Sequence, residues 1–135
     1  MATSMLCAID EHSEVAVKLA ANMARAMGAN LTILSVNVGS TSTSGVRTNL
    51  WDGARLKSFL EKAVGEAQEA GAPDPTATSV EGHDAASAIV AYADDHGIDH
   101  IVVGTGGKGL ASRLMLGSVS RDVVLRAHCS VTVAR

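Results

Sequence analysis

Gly104 is followed after two residues by Gly107, and after nine more by Gly117 and Ser118. Glycine at such positions removes the Cβ that keeps a ligand away from the main chain, and it lets successive amides turn toward an anion. Gly117-Ser118 also opens a segment read as a helix, whose first amides lack partners and carry the positive end of the dipole. Ser118 and Ser120 add hydroxyl donors, and Lys108 and Arg113 add positive charge. The chemistry implied is the holding of a phosphate. Two familiar phosphate patterns do not apply. Gly104-Thr105-Gly106-Gly107-Lys108-Gly109 matches the letters of the dinucleotide fingerprint, but that fingerprint belongs in the first strand–helix turn, with an acid at the end of the next strand. Here Asp122 falls inside the following helix. Lys108 is followed by Gly109 rather than Ser or Thr, so a Walker loop fails too.

The elements that must carry these residues alternate. Met5 to Ile9 is a continuous apolar run ending at Asp10, the pattern of a strand buried on both faces. Ala16, Leu19, Ala20, Met23, Ala24 and Met27 recur at helical spacing up to Gly28, with Ser13 placed as the cap and Glu14 in the first turn. Leu31 to Val38 reads as the second strand and Gly39 to Gly45 as a loop. Leu56 to Ala67 gives a second helical stripe, closed by Gly71 and Pro73. Thr76 to Val80 is a polar third strand suited to a sheet edge. Asp84 caps a helix over Ala85 to His96, ended by Gly97. Ile101 to Val103 is the fourth strand, Ser118 to Arg126 a short helix, and Ser130 to Ala134 the last strand.

This order predicts a single α/β domain over residues 1–135, a three-layer sandwich with helices on both faces of a five-stranded parallel sheet. The expected strand order is 3-2-1-4-5. Ligands of such sheets bind beyond the carboxyl ends of the strands where the winding reverses, which is where Asp10 and Gly104 stand.

Composition narrows the function. Net charge is −3 with no basic run, and Phe59, Tyr92 and Trp51 are the whole aromatic content. Nucleic-acid binding, which wants a basic face and stacking side chains, is disfavoured. No apolar run is long enough to span a membrane, and Cys7 and Cys129 do not resemble a disulfide framework, so a cytoplasmic protein is expected. His96 and His100 are four apart, but Gly97 and the helix-to-strand change keep them off one helix face, against a zinc pair.

The sequence resembles the universal stress proteins of the ATP-binding type. That family's glycine, two residues, glycine, nine residues, then glycine with Ser or Thr is met by Gly104, Gly107, Gly117 and Ser118. The likeness extends to Ala8-Ile9-Asp10, to Gly28 through Thr32, to Ile98 through Gly104, and to Cys129 through Val133. Departures are Gly106, where many members have His or Arg, and Ser130, where Pro is common. The resemblance implies that ATP binds, with Mg²⁺. Asp10 would touch the ribose or the nucleotide-bound metal. Ala8, Ile9 and Val36 would border the adenine, with Val103 and Gly104 against the nucleoside. Gly107, Lys108, Gly117, Ser118, Val119 and Ser120 would hold the phosphates. It also implies a stress-response or signalling module, and a homodimer through Val131 and Val133 of the last strand. No general base or second carboxylate lies near the loop, so at most slow hydrolysis is expected. Two alternatives stand beside this: a dimeric interaction module that needs no nucleotide, and a phospho-acceptor receiver domain. The receiver reading draws on Asp10-Glu11 and Thr105, but the third strand runs into Val80-Glu81-Gly82 without an acceptor Asp.

Overall fold

The first strand, β1 (Ser4–Ile9), is almost wholly buried, as its unbroken apolar run requires. The computed structural model describes the chain apart from residues 1, 2, 11, 12, 42–44, 46, 50, 51 and 106–115. After β1 come α1 (Glu14–Met27), β2 (Asn30–Thr41), β3 (Arg47–Asn49), α2 (Gly53–Glu69), β4 (Thr76–Gly82), α3 (Ala85–Asp95) and β5 (His100–Gly104). The helix over Ser118–Arg126 is α4, and β6 (Ser130–Ala134) follows it.

The parallel strands lie in the order β4-β2-β1-β5-β6. Counted along the chain without β3, this is the expected 3-2-1-4-5. β1 and β5 are neighbours, with Ala8 opposite Val103, so the winding reverses between them.

Side chains alternate across the sheet and divide the core in two. Met5, Cys7, Ile33 and Val102 pack under α1 and α2 against Ala16, Ala20, Ala24, Ala63 and Ala67. Leu6, Leu34, Ile101 and Val103 pack under α3 and α4 against Ala86, Ile89, Ala93 and Val123. Alanine on the helices lets them approach the sheet closely, which is how a chain with three aromatic residues fills its core. Gly28 closes α1 at φ 66°, a left-handed conformation costly for other residues.

The stretch from Gly39 differs from the expected loop. β2 continues through Gly39, Ser40 and Thr41, and β3 pairs with it antiparallel, Gly39 opposite Asn49 and Thr41 opposite Arg47. The paired residues, Gly39, Ser40 and Thr41 with Arg47, Thr48 and Asn49, include no apolar side chain beyond glycine, so they leave no apolar alternation in the sequence. β2 is consequently much longer than β1. Ile9, the last residue of β1, lies opposite Ser35, and everything from Val36 onward rises beyond the end of β1. β4 supports it as far as Val38, opposite Gly82. Among the described residues no helix is long and apolar enough to cross a membrane.

Candidate functional site

The overhang of β2, the ends of β1 and β5 and the starts of α3 and α4 enclose a pocket of about 390 Å³. That is within the size range of small-molecule sites, about 300–1,000 Å³. Ala8 and Ile9 at the end of β1, with Asp10 just after it, lie on its floor, and Val103 and Gly104 at the end of β5, with Thr105 just after it, stand beside them. Val36 and Val38 form the wall supplied by β2, while Gly117, Ser118, Val119 and Ser120 bring in the first turn of α4. Of the residues expected to hold the nucleotide, those within the described part of the chain therefore meet around one cavity. Gly107 and Lys108, with Gly106 and Arg113, lie outside the described residues.

The first turn of α4 has no side-chain cap. Its N-cap is Gly117, at φ −70° and ψ 165°. The amides of Ser118, Val119 and Ser120 precede the first intrahelical bond, which Arg121 N–H makes to Gly117 O at 2.9 Å. Unpaired amides at the positive end of a helix favour an anion. The hydroxyl of Ser120 is used differently from the sequence expectation. Ser120 is buried, and its Oγ donates to Gly117 O at 3.0 Å. Its one proton is thereby directed into the turn, and what it offers the pocket as a donor is its amide. Ser118 is exposed.

The turn after β1 also departs from expectation. Ser13 is the N-cap of α1 by position, yet its side chain makes no bond to the helix amides. It turns back to Asp10 instead. Asp10 N–H donates to Ser13 Oγ at 2.7 Å, and Ser13 Oγ donates to Asp10 Oδ1 at 2.8 Å. Ser13 is 6% exposed, whereas Asp10 is open to the pocket.

Several lining residues were not singled out for the site. Ser13 and Thr105 stand at element ends on the ligand side of the sheet and are recoverable from that rule. Phe59, from α2, and Ala85 and Ile89, from α3, are different. In sequence nothing sets them apart from other helical positions, since spacing marks an inward face without saying which turn reaches the cavity.

Other reactive groups are occupied elsewhere. Cys7 lies in the buried part of β1, and desolvation pushes its thiol up to about 12, so it stays protonated at neutral pH. His96 stacks on Tyr92, with ring centroids 3.8 Å apart, and its Nδ1 is 2.9 Å from Tyr92 O. His100 Nε2 shares a 2.6 Å hydrogen bond with Thr132 Oγ1. The two histidines thus have separate partners, as the break at Gly97 implied.

The family model of the universal stress protein family matches residues 1–135. A universal stress protein of Methanocaldococcus jannaschii is 44% identical over 50 residues, which are 37% of this chain and 29% of that protein. A universal stress protein solved in complex with cAMP is 28% identical, with a TM-score of 0.77 over 99% of this chain and 97% of that one. One from Archaeoglobus fulgidus, solved with dAMP, is 24% identical, with a TM-score of 0.74 over 98% of each chain, a likeness of fold. With the family model spanning every residue, the chain belongs to the universal stress protein family.

Proposed function

We propose that the chain, as one domain over residues 1–135, binds an adenine nucleotide in this pocket and acts as a stress-response or signalling module. The observation that carries the reading is the uncapped first turn of α4 facing a largely apolar pocket at the junction of β1 and β5. The donor set fits a nucleotide. Ala8, Ile9 and Val36 offer apolar and main-chain contact to adenine, and Val103 and Gly104 lie along the nucleoside. The amides of Ser118, Val119 and Ser120, with Gly117, hold phosphate. Asp10, an acceptor, suits ribose hydroxyls or a metal carried by the phosphates. Gly107 and Lys108 complete the phosphate grip in this reading.

ATP with Mg²⁺ is the ligand we favour, because the glycine pattern from Gly104 to Ser118 is complete. Bound Mg²⁺ would neutralise phosphate charge, with Asp10 the residue to face it. Asp10 is the one carboxylate lining the described pocket, so hydrolysis is slow at most. A cyclic mononucleotide is a second reading, supported by the cAMP bound to the relative that is 28% identical over nearly the whole chain. We further propose a cytoplasmic homodimer formed through Val131 and Val133 of β6, an edge strand of the sheet.

Thermal melting with ligand tests the reading. With a dissociation constant of about 10 μM, 1 mM ATP with Mg²⁺ stabilises by roughly 2.7 kcal/mol. In a chain of this size that is a shift of several degrees. A melting temperature unmoved by ATP, AMP and cAMP at millimolar concentration refutes it, and leaves the nucleotide-independent module.

A further inference from the structure

Ser13 is a buried hydroxyl whose side chain serves neither of the roles its position suggests. It does not cap α1, and the start of that helix is held by main chain, Val17 N–H donating to Ser13 O at 2.9 Å. Nor does it point idly into the core, since it lines the same pocket as Asp10. Both of its short side-chain bonds go to one residue, accepting from Asp10 N–H and donating to Asp10 Oδ1. A hydroxyl has a single proton, so this pair of bonds fixes the direction of that proton and ties Oδ1 of the carboxylate to the turn. The exposed acid is thereby held from beneath by a buried group.

We propose that Ser13 is a positioning residue: it holds the Asp10 carboxylate in the orientation that accepts a hydrogen bond from a ribose hydroxyl, giving the pocket a preference for ribonucleotides over nucleotides lacking those hydroxyls. The proposal rests on the adenine-nucleotide reading. An ionised carboxylate only accepts, so any group of the nucleotide that hydrogen-bonds to it must be a donor. Ribose hydroxyls donate and phosphate oxygens do not. A carboxylate already oriented loses less freedom when the ligand arrives than one free to rotate.

The test compares ATP with 2′,3′-dideoxy-ATP, both with Mg²⁺, by isothermal titration. The probes share base and triphosphate, so the ratio of their affinities isolates the ribose edge. The wild type should prefer ATP by about tenfold or more, the low end for a hydrogen bond to a charged group. Ser13→Ala should shrink the ratio to about twofold by weakening ATP alone, and Ser13→Thr, which keeps the hydroxyl, should restore it. Ser13→Cys, similar in volume but a poor hydrogen-bond partner, gives the same reading if the alanine variant melts too low. A variant that weakens both probes equally, or neither, overturns the proposal. So does a wild type that binds both probes equally. A wild type that binds neither refutes the nucleotide reading itself.

Discussion

The amide of Gly117 donates to the carbonyl oxygen of Thr105 at 3.1 Å, tying the start of α4 to the residue that follows β5. The ends of the glycine motif are thus brought together by main chain, and the first turn of α4 is aimed over the end of the sheet. Gly117 O in turn receives Arg121 N–H at 2.9 Å and Ser120 Oγ at 3.0 Å.

Ser120→Ala removes the hydroxyl bond inside this turn and leaves the amide. It should cost about 1 kcal/mol of stability, the net worth of a typical hydrogen bond. ATP affinity should stay within about twofold. Urea unfolding and isothermal titration on the same variant separate the two effects. A large loss of affinity with unchanged stability would mean that the hydroxyl serves the ligand instead.

Gly104→Ala should do the reverse. Gly104 is not in a left-handed conformation, and an added Cβ would meet Ala16 Cβ at an ordinary 3.8 Å. The fold therefore has no need of glycine here, and stability should change by no more than about 0.5 kcal/mol. In the nucleotide reading Gly104 lies against the nucleoside, so the added methyl should crowd the ligand and weaken ATP by about tenfold. Melting curves and titration check both halves.

These contrasts bear on what was legible beforehand. The runs ending at Ile9 and Val103 are apolar because both faces of their strands are covered, and the order favoured among the few that right-handed crossovers allow, with the reversal between β1 and β5, is the one found. Asp10, Gly104 and Ser118 were then located by where runs end and helices begin. Phe59 and Ile89 were not, because a helical stripe says which face is inward but not which turn reaches a cavity. β3 was missed because its three residues, Arg47, Thr48 and Asn49, are all polar and leave no apolar pattern. Ser13 was placed correctly as the residue before α1, but its hydroxyl has two uses open to it, and only the geometry of the turn selects Asp10 over the helix amides.

Asp84 gives a pH-dependent prediction. Its carboxylate accepts from Ser87 Oγ, and Arg126 reaches both residues, Nη2 to Ser87 Oγ at 2.7 Å and Nη1 to Asp84 Oδ2 at 3.4 Å. The Ser87 bond above all, then Arg126, holds the Asp84 carboxyl below the usual carboxylate value. A group with a depressed folded pKa stabilises above its unfolded pKa and loses that contribution as pH falls through the folded one. Asp84→Asn should therefore be less stable than the wild type at about pH 7, with the gap closing toward about pH 2. Chemical denaturation at both pH values measures it.

Cys7 and Cys129 should react at different rates. Cys7 is fully buried with its thiol pushed up to about 12. Cys129 is partly exposed, and its thiol is raised by burial and then by Asp94 and Asp99. Native alkylation with iodoacetamide, read by peptide mass spectrometry, should mark Cys129 first and leave Cys7 unmodified until the protein is unfolded. Early modification of Cys7 would mean that β1 opens readily.

The most direct test of nucleotide binding at this pocket is an amide NMR titration of the ¹⁵N-labelled protein with ATP and Mg²⁺. The account predicts saturable shifts centred on Ala8, Ile9, Asp10, Val36, Gly104, Gly117, Ser118 and Val119, with β4 and the far ends of α1 and α3 unmoved. Shifts confined to another surface, or none at millimolar ATP, AMP and cAMP, would contradict it.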